Sequence, residues 1–224
     1  MNVAGAISEA VLQKVRELAG AGTMLVGISG IDGSGKTTLA KQVARELSES
    51  GLRVALIHAD AWLSPPEIRW NYENPAGNFY QQGLRLLELF EQLVLPLKRR
   101  GSIRLRTELT RQPENDHFPH TYDFRNVEVI LLEGIFIFKQ EFRPHFDLAV
   151  WLDTSFERAL KRALRRNQEG LSEPGIRHDY HTIYFPAQRL HLSLDNPRAT
   201  ADLVIPNEGG MMWQSPNNAM GVPA

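Results

Sequence analysis

Apolar residues along the chain fall into two alternating rhythms. Short apolar runs at 24–28, 53–58, 127–132, 147–152 and 201–205 have the length and branched character of buried strands. Between them the apolar positions recur at helical spacing. Ile7, Val11, Leu12, Val15 and Leu18 predict a helix over 6–19, and the stretch 39–47 predicts a second. A long helical pattern over 80–100 carries Leu84, Leu87, Leu89, Phe90, Leu93, Val94 and Leu97, and Pro96 is expected to kink or end it. Two further helices are expected over 155–166 and over 177–194 around Pro186. Residues 103–107 alternate with arginines and suggest an edge strand. The segments 64–78 and 111–125, rich in Pro, Asn and polar residues, read as loops.

Strands alternating with helices define an α/β chain with a doubly wound, mainly parallel five-stranded sheet and helices on both faces. The expected organisation is one domain over 1–206. A helical lid would lie at about 158–178, and substrate-side insertions at about 62–80 and 103–126. Residues 207–224 have little periodicity and many Gly, Asn and Pro, so a loose tail is expected.

Between the first strand and its helix stands Gly-Ile-Asp-Gly-Ser-Gly-Lys-Thr, residues 30–37. Two glycines separated by four residues, then lysine and a hydroxyl residue, make the phosphate-binding loop pattern, and here it has the strand and helix it requires. Gly30, Gly33 and Gly35 let successive N–H groups turn into one concavity, with Asp32, Ser34 and Thr38 completing the segment. The helix starting near Lys36 adds its positive end. Lys36 should reach the outer phosphates of ATP or GTP, and Thr37 should offer its hydroxyl to Mg2+. Asp32 is an unusual acid for an anion site and is expected to point outward.

Other carboxylates fall at strand ends. Asp60 follows the second strand, where open parallel sheets hold their ligands, although it could equally cap the next segment. Glu133 ends the third strand, as in the second phosphate-loop motif, whose acid holds magnesium directly or through water. Arg158, Arg162 and Arg165 share a helix face, which reads either as a solvated basic face or as a lid that brings guanidinium groups to a phosphoryl group.

The 224 residues carry 42% hydrophobic residues and a net charge of −1, enough for a real core and without the electrostatic footprint of nucleic-acid or anionic-membrane binding. Absent cysteine rules out disulfides and thiolate metal sites. His117 and His120, like His178 and His181, are three apart but lack a third clear zinc ligand, so substrate contact or simple exposure is expected of them. Without a signal peptide or an apolar run of membrane-spanning length, a cytoplasmic protein is the expectation. A homo-oligomer is compatible with the sequence.

The phosphate loop, together with His58-Ala59-Asp60, Asn71-Tyr72-Glu73-Asn74-Pro75, Leu132-Glu133-Gly134-Ile135, Leu152-Asp153-Thr154, Arg162 with Arg165, and Tyr180 with Pro186, resembles the uridine kinase and phosphoribulokinase group over about residues 24–206. That resemblance implies phosphoryl transfer from ATP or GTP to a hydroxyl of a small molecule, a nucleoside first. Asp60 would accept the hydroxyl proton and lie near magnesium, Glu133 would be metal-associated, and Arg162 and Arg165 would meet phosphate. Glu73, beside Tyr72, matches an aspartate that holds sugar hydroxyls, and His117 reaches toward the base-reading hairpin. The sequence departs from the group at that hairpin. A Pro-x-Tyr-Asp segment normally opens it, whereas Leu105-Arg106-Thr107-Glu108-Leu109 stands here. The departure puts the acceptor, and not the phosphate chemistry, in question, and leaves another alcohol or sugar, or a regulatory NTPase, as alternatives.

Overall fold

A computed structural model describes residues 3–17, 22–70, 73–111, 116–167 and 170–207. Five strands, β1 (Met24–Gly30), β2 (Val54–His58), β5 (Val129–Glu133), β6 (Leu148–Asp153) and β7 (Leu203–Pro206), form one sheet in the order β2-β5-β1-β6-β7, and every pairing is parallel. The doubly wound sheet is therefore as expected from the alternating pattern. Because side chains alternate across each strand, the sheet carries a separate core on each face. Met24, Val26, Ile28, Leu131 and Val150 pack against α1 (Val3–Glu17) and α2 (Lys36–Glu49). Leu25, Ile57, Ile130, Leu132 and Trp151 face the aromatic core built with the remaining helices.

The segment after β2 enters a 3-10 turn at Ala59–Trp62, then the short helix α3 (Pro66–Arg69) and α4 (Pro75–Gln82). Part of the stretch read as loop is thus helical. Asn74 caps α4 by accepting from Gly77 N at 3.0 Å, and Pro75 takes the first helical position, where its missing N–H costs nothing.

The single helix expected over 80–100 is broken. Leu84 bridges back to Leu63, so the chain bends after α4 before continuing as α5 (Leu86–Leu89), a π turn (Phe90–Val94) and α6 (Leu95–Arg100). Pro96 neither ends nor stops this helix. Leu95 N donates to Phe90 O, five residues back, and this widened turn takes up the proline ring that a regular α turn would strike. The same device recurs in the next long helical run. There α7 (Phe156–Arg166) is followed by α8 (Glu173–Asp179), a π turn (Tyr180–Tyr184) in which Phe185 N donates to Tyr180 O, and α9 (Phe185–Leu194) carrying Pro186. A last turn, α10 (Pro197–Thr200), leads into β7.

The edge strand expected at 103–107 is longer and has a partner. β3 (Ile103–Arg111) pairs antiparallel with β4 (Asp116–Phe124), which occupies the region read as a polar excursion. Pro119, opposite Glu108, hides β4 from a pattern reading but is tolerated because a two-stranded ribbon has free edges. The expected tail lies outside the described residues from position 208 onward.

Candidate functional site

β1 delivers the glycine-rich loop to the carboxyl edge of the sheet, and α2 leaves it at Lys36. Gly33 (φ 72°) and Gly35 (φ 96°) adopt left-handed backbone, and a Cβ on Gly33 would lie 2.5 Å from the Ala159 carbonyl oxygen of α7. Only glycine satisfies both demands. Lys36 is 3% exposed and, with Gly33, Gly35, Thr37 and Thr38, lines a cavity of about 520 Å3. His58, Asp60, Glu133, Arg162 and Arg166 line the same cavity. The loop and the two strand-end acids are therefore brought together as the sequence predicts.

Asp32 corrects an expectation, because it points into the structure and not outward. Its carboxylate accepts from Gly33 N (2.9 Å) and from the Tyr180 hydroxyl, and pairs with Arg166 at 3.4 Å. Its own N–H donates to Gln188 Oε1 at 3.1 Å. Burial pushes the Asp32 carboxyl up, but the Arg166 and Lys36 charges and the Tyr180 hydroxyl outweigh it and hold the group below its usual range. Asp32 thus fastens the loop to α7 and to the π turn.

Glu133 is 1% exposed. Its Oε1 accepts from the Thr37 hydroxyl at 3.1 Å and lies 2.6 Å from His58 Nδ1, while Oε2 is buried with no hydrogen-bond partner among the described residues. Asp60, on the 3-10 turn, has its Oδ1 in the same condition. Burial, with the neighbouring Glu133 and Asp32 charges, pushes the Asp60 carboxyl up to about 6 against the pull of Lys36 and Arg166. Two buried carboxylate oxygens without protein partners beside a threonine hydroxyl are a donor set suited to a hard divalent cation. The described residues contain no cluster of three or more His, Cys, Asp or Glu able to hold a metal by themselves. Such an ion would accordingly complete its shell with water and phosphate oxygens, as magnesium characteristically does.

The arginines of α7 are placed differently from the expected face. Ala159, Leu160 and Ala163 are buried, which turns Arg162 and Arg166 toward the loop and leaves Arg165 exposed and outside the cavity lining. Arg162 Nη1 donates to Ser34 O at 2.7 Å, and the Asn207 side chain donates to the same carbonyl at 2.6 Å. Glu73 and His117 are both exposed and away from the cavity, His117 lying 3.5 Å from Thr110 Oγ1 on the hairpin. Tyr72 lies outside the described residues. The sequence reading missed Arg166, His58, Tyr180 as an anchor, Gln188 and Asn207. Of these only Arg166 had a local signal, the i, i+4 spacing from Arg162.

The chain is 28% identical over 204 residues to a uridine kinase of Staphylococcus aureus, covering 84% of this chain and 89% of that protein. A solved structure from Bacillus stearothermophilus, described as a possible uridine kinase, superposes with a TM-score of 0.68 at 25% identity, covering 88% of this chain and 96% of that one. The fold is shared with a Silicibacter protein described as a possible fructose transport system kinase (TM-score 0.72, 22% identity, 92% and 100% covered). It is shared too with a D-glycerate 3-kinase of Cryptococcus neoformans (TM-score 0.59, 14% identity, 82% and 87% covered). Residues 3–65 also match the family model of the methylmalonyl Co-A mutase-associated GTPase MeaB. That match spans α1 to just beyond β2, the phosphate-loop half that nucleotide-binding proteins of several activities have in common. Loop, sheet order and whole-chain likeness define a P-loop kinase, a phosphotransferase. Within that class the chain is uridine kinase-like.

Proposed function

We propose that this protein transfers the terminal phosphoryl group of ATP to a hydroxyl of a small molecule, with a nucleoside as the first candidate acceptor. The observation that carries the reading is the meeting of Lys36, Asp60 Oδ1 and Glu133 Oε2 in one cavity, two buried carboxylate oxygens beside a buried ammonium. The backbone N–H groups of the loop and the α2 terminus hold the phosphates, and Lys36 and Arg166 offset the charge spread over the transferring group. Asp60 accepts the proton of the acceptor hydroxyl as its oxygen bonds to the terminal phosphorus and the bond to the leaving diphosphate breaks. Thr37, Glu133 and Asp60 are the residues that would hold Mg2+, which when bound neutralises phosphate oxygens. Arg162 acts on the loop itself, fixing the Ser34 carbonyl outward so that the N–H groups face the cavity.

A second reading, a sugar or another alcohol as acceptor, has its own support. The hairpin β3–β4 carries Leu105–Leu109 where a pyrimidine-reading segment would open, and His117 stands exposed on it. Proteins of this fold include ones described as a D-glycerate 3-kinase and as a possible fructose transport system kinase. Incubation with ATP, magnesium and a panel of nucleosides, sugars and small alcohols, with mass detection of phosphorylated products, separates the readings. A nucleoside monophosphate supports the first, a sugar or alcohol phosphate the second. Hydrolysis indifferent to every acceptor contradicts both.

A further inference from the structure

A second cavity, of about 370 Å3, opens from the phosphate cavity and shares Gly35, Thr38 and Arg162 with it. Its walls are apolar, from Val3, Leu39, Leu152 and Ile205, and α1 supplies one of them through Val3. On the reading above, this is the space open to the nucleoside end of the donor. A purine there meets apolar surface on several sides, which gives affinity without choosing between bases. Choice requires a fixed polar group.

Gln42 supplies one. It stands one turn beyond Thr38 on α2, so both side chains lie on the face that borders this cavity. Its Nε2 donates to Glu46 Oε1 at 3.1 Å, and the other Glu46 oxygen accepts from the Ser8 hydroxyl of α1 at 2.9 Å. A carboxylate only accepts hydrogen bonds, so the amide nitrogen must face Glu46 and the carbonyl Oε1 must face away. That Oε1 has no hydrogen-bond partner among the described residues. Helix α1 therefore fixes, through Ser8 and Glu46, which way round the Gln42 amide stands at the wall of the cavity.

An amide held this way offers a carbonyl acceptor together with its second N–H. Those two groups match the amino donor and ring-nitrogen acceptor side by side on adenine, the pairing glutamine makes with that base elsewhere. Guanine sets an acceptor oxygen where adenine has its amino group, so the same carbonyl meets another lone pair. We infer that Gln42, oriented by Glu46 and Ser8, is the residue that makes the donor site prefer an adenine to a guanine nucleotide.

The test is equilibrium binding of ADP and GDP to the full chain by calorimetry, a readout independent of turnover and of the acceptor. The wild type is expected to bind ADP about tenfold or more tightly than GDP, within the range of one good bidentate base contact. Gln42→Leu should bring the ratio close to one, chiefly by weakening ADP. Glu46→Gln, which can either donate or accept and so releases the amide to turn over, should also lower the ratio while leaving the Gln42 side chain in place. Equal affinities in the wild type, or an unchanged ratio in both variants, would overturn the inference. Failure of the wild type to bind either diphosphate would instead overturn the donor-site reading on which it rests.

Discussion

His58 and Glu133 are register partners on the adjacent parallel strands β2 and β5, and His58 Nδ1 lies 2.6 Å from Glu133 Oε1. With the Thr37 hydroxyl on the same oxygen, the carboxylate is turned so that Oε2 remains available in the cavity. A carboxylate fixed by such outer contacts loses about 10- to 100-fold in metal affinity or activity when they are removed. His58→Ala is accordingly expected to raise the magnesium concentration giving half-maximal rate by about tenfold or more. His58→Asn, which keeps an N–H donor at that edge, should recover part of the loss. A magnesium titration of the rate checks both.

Asp60 is expected to cost stability in exchange for activity. Its folded pKa of about 6 lies above the ordinary 3.8, so its contribution to stability is fully present below 3.8 and lost as pH rises through about 6. At pH 7 the ionised group weighs against the fold by up to about 3 kcal/mol. Asp60→Asn should raise the thermal midpoint of the nucleotide-free protein at pH 7, keep nucleotide binding and slow turnover about 10²- to 10⁴-fold. Near-normal turnover would remove Asp60 from the chemistry.

Arg165 and Arg166 offer an internal control, being adjacent in sequence and on opposite sides of the site boundary. Arg166→Ala is expected to slow transfer by about 10²- to 10³-fold, the typical cost of removing one fixed charge-stabilising donor. Arg165→Ala should change it less than about twofold. Steady-state rates of the two variants measured side by side decide whether the guanidinium at 166 is the one that meets phosphate.

A separate buried network acts on the fold in acid with the opposite sign to Asp60. His191, 2% exposed, holds Asp195 at 2.6 Å, and the Tyr80 hydroxyl donates to the same oxygen at 2.6 Å. Burial keeps the imidazole below its ordinary 6.5 despite the Asp195 charge, and its Nε2 has no partner among the described residues to welcome a proton. The unfolded chain therefore binds a proton more readily than the folded one as pH falls below 6.5. Burial raises the Asp195 carboxyl, but the His191 and Tyr80 hydrogen bonds prevail and lower it, which adds loss of stability in the same direction at still lower pH. Asp60 opposes this trend over the same pH range, so the comparison is made in the Asp60→Asn background: there thermal midpoints should decline from pH 7 to pH 5, and adding His191→Gln should flatten that slope. An equally steep slope in the variant would assign the acid response elsewhere.

The sequence made legible whatever depends on neighbours along the chain. The phosphate loop, the five sheet strands and the acids at 60 and 133 are set by runs of a few residues and were placed where they stand. Contacts between distant segments were not legible. His58 and Glu133 are 75 residues apart, and Asp32 and Tyr180 are 148 apart. No local rule places a loop acid under a helix that arrives so much later. Pro96 misled in a different way, since the π turn that accommodates it leaves no mark in an apolar pattern of helical period, whereas the helix expected around Pro186 stands with a π turn of its own. The departure at Leu105–Leu109 was visible, and it left the acceptor as the open half of the reading.

Consumption of ATP in the presence and absence of acceptors tests the central claim most directly. The account predicts slow turnover with ATP and magnesium alone, a large increase with one class of small hydroxyl compound, and loss of that increase in Lys36→Ala. ATP consumption at the same rate with every acceptor and with none would contradict it.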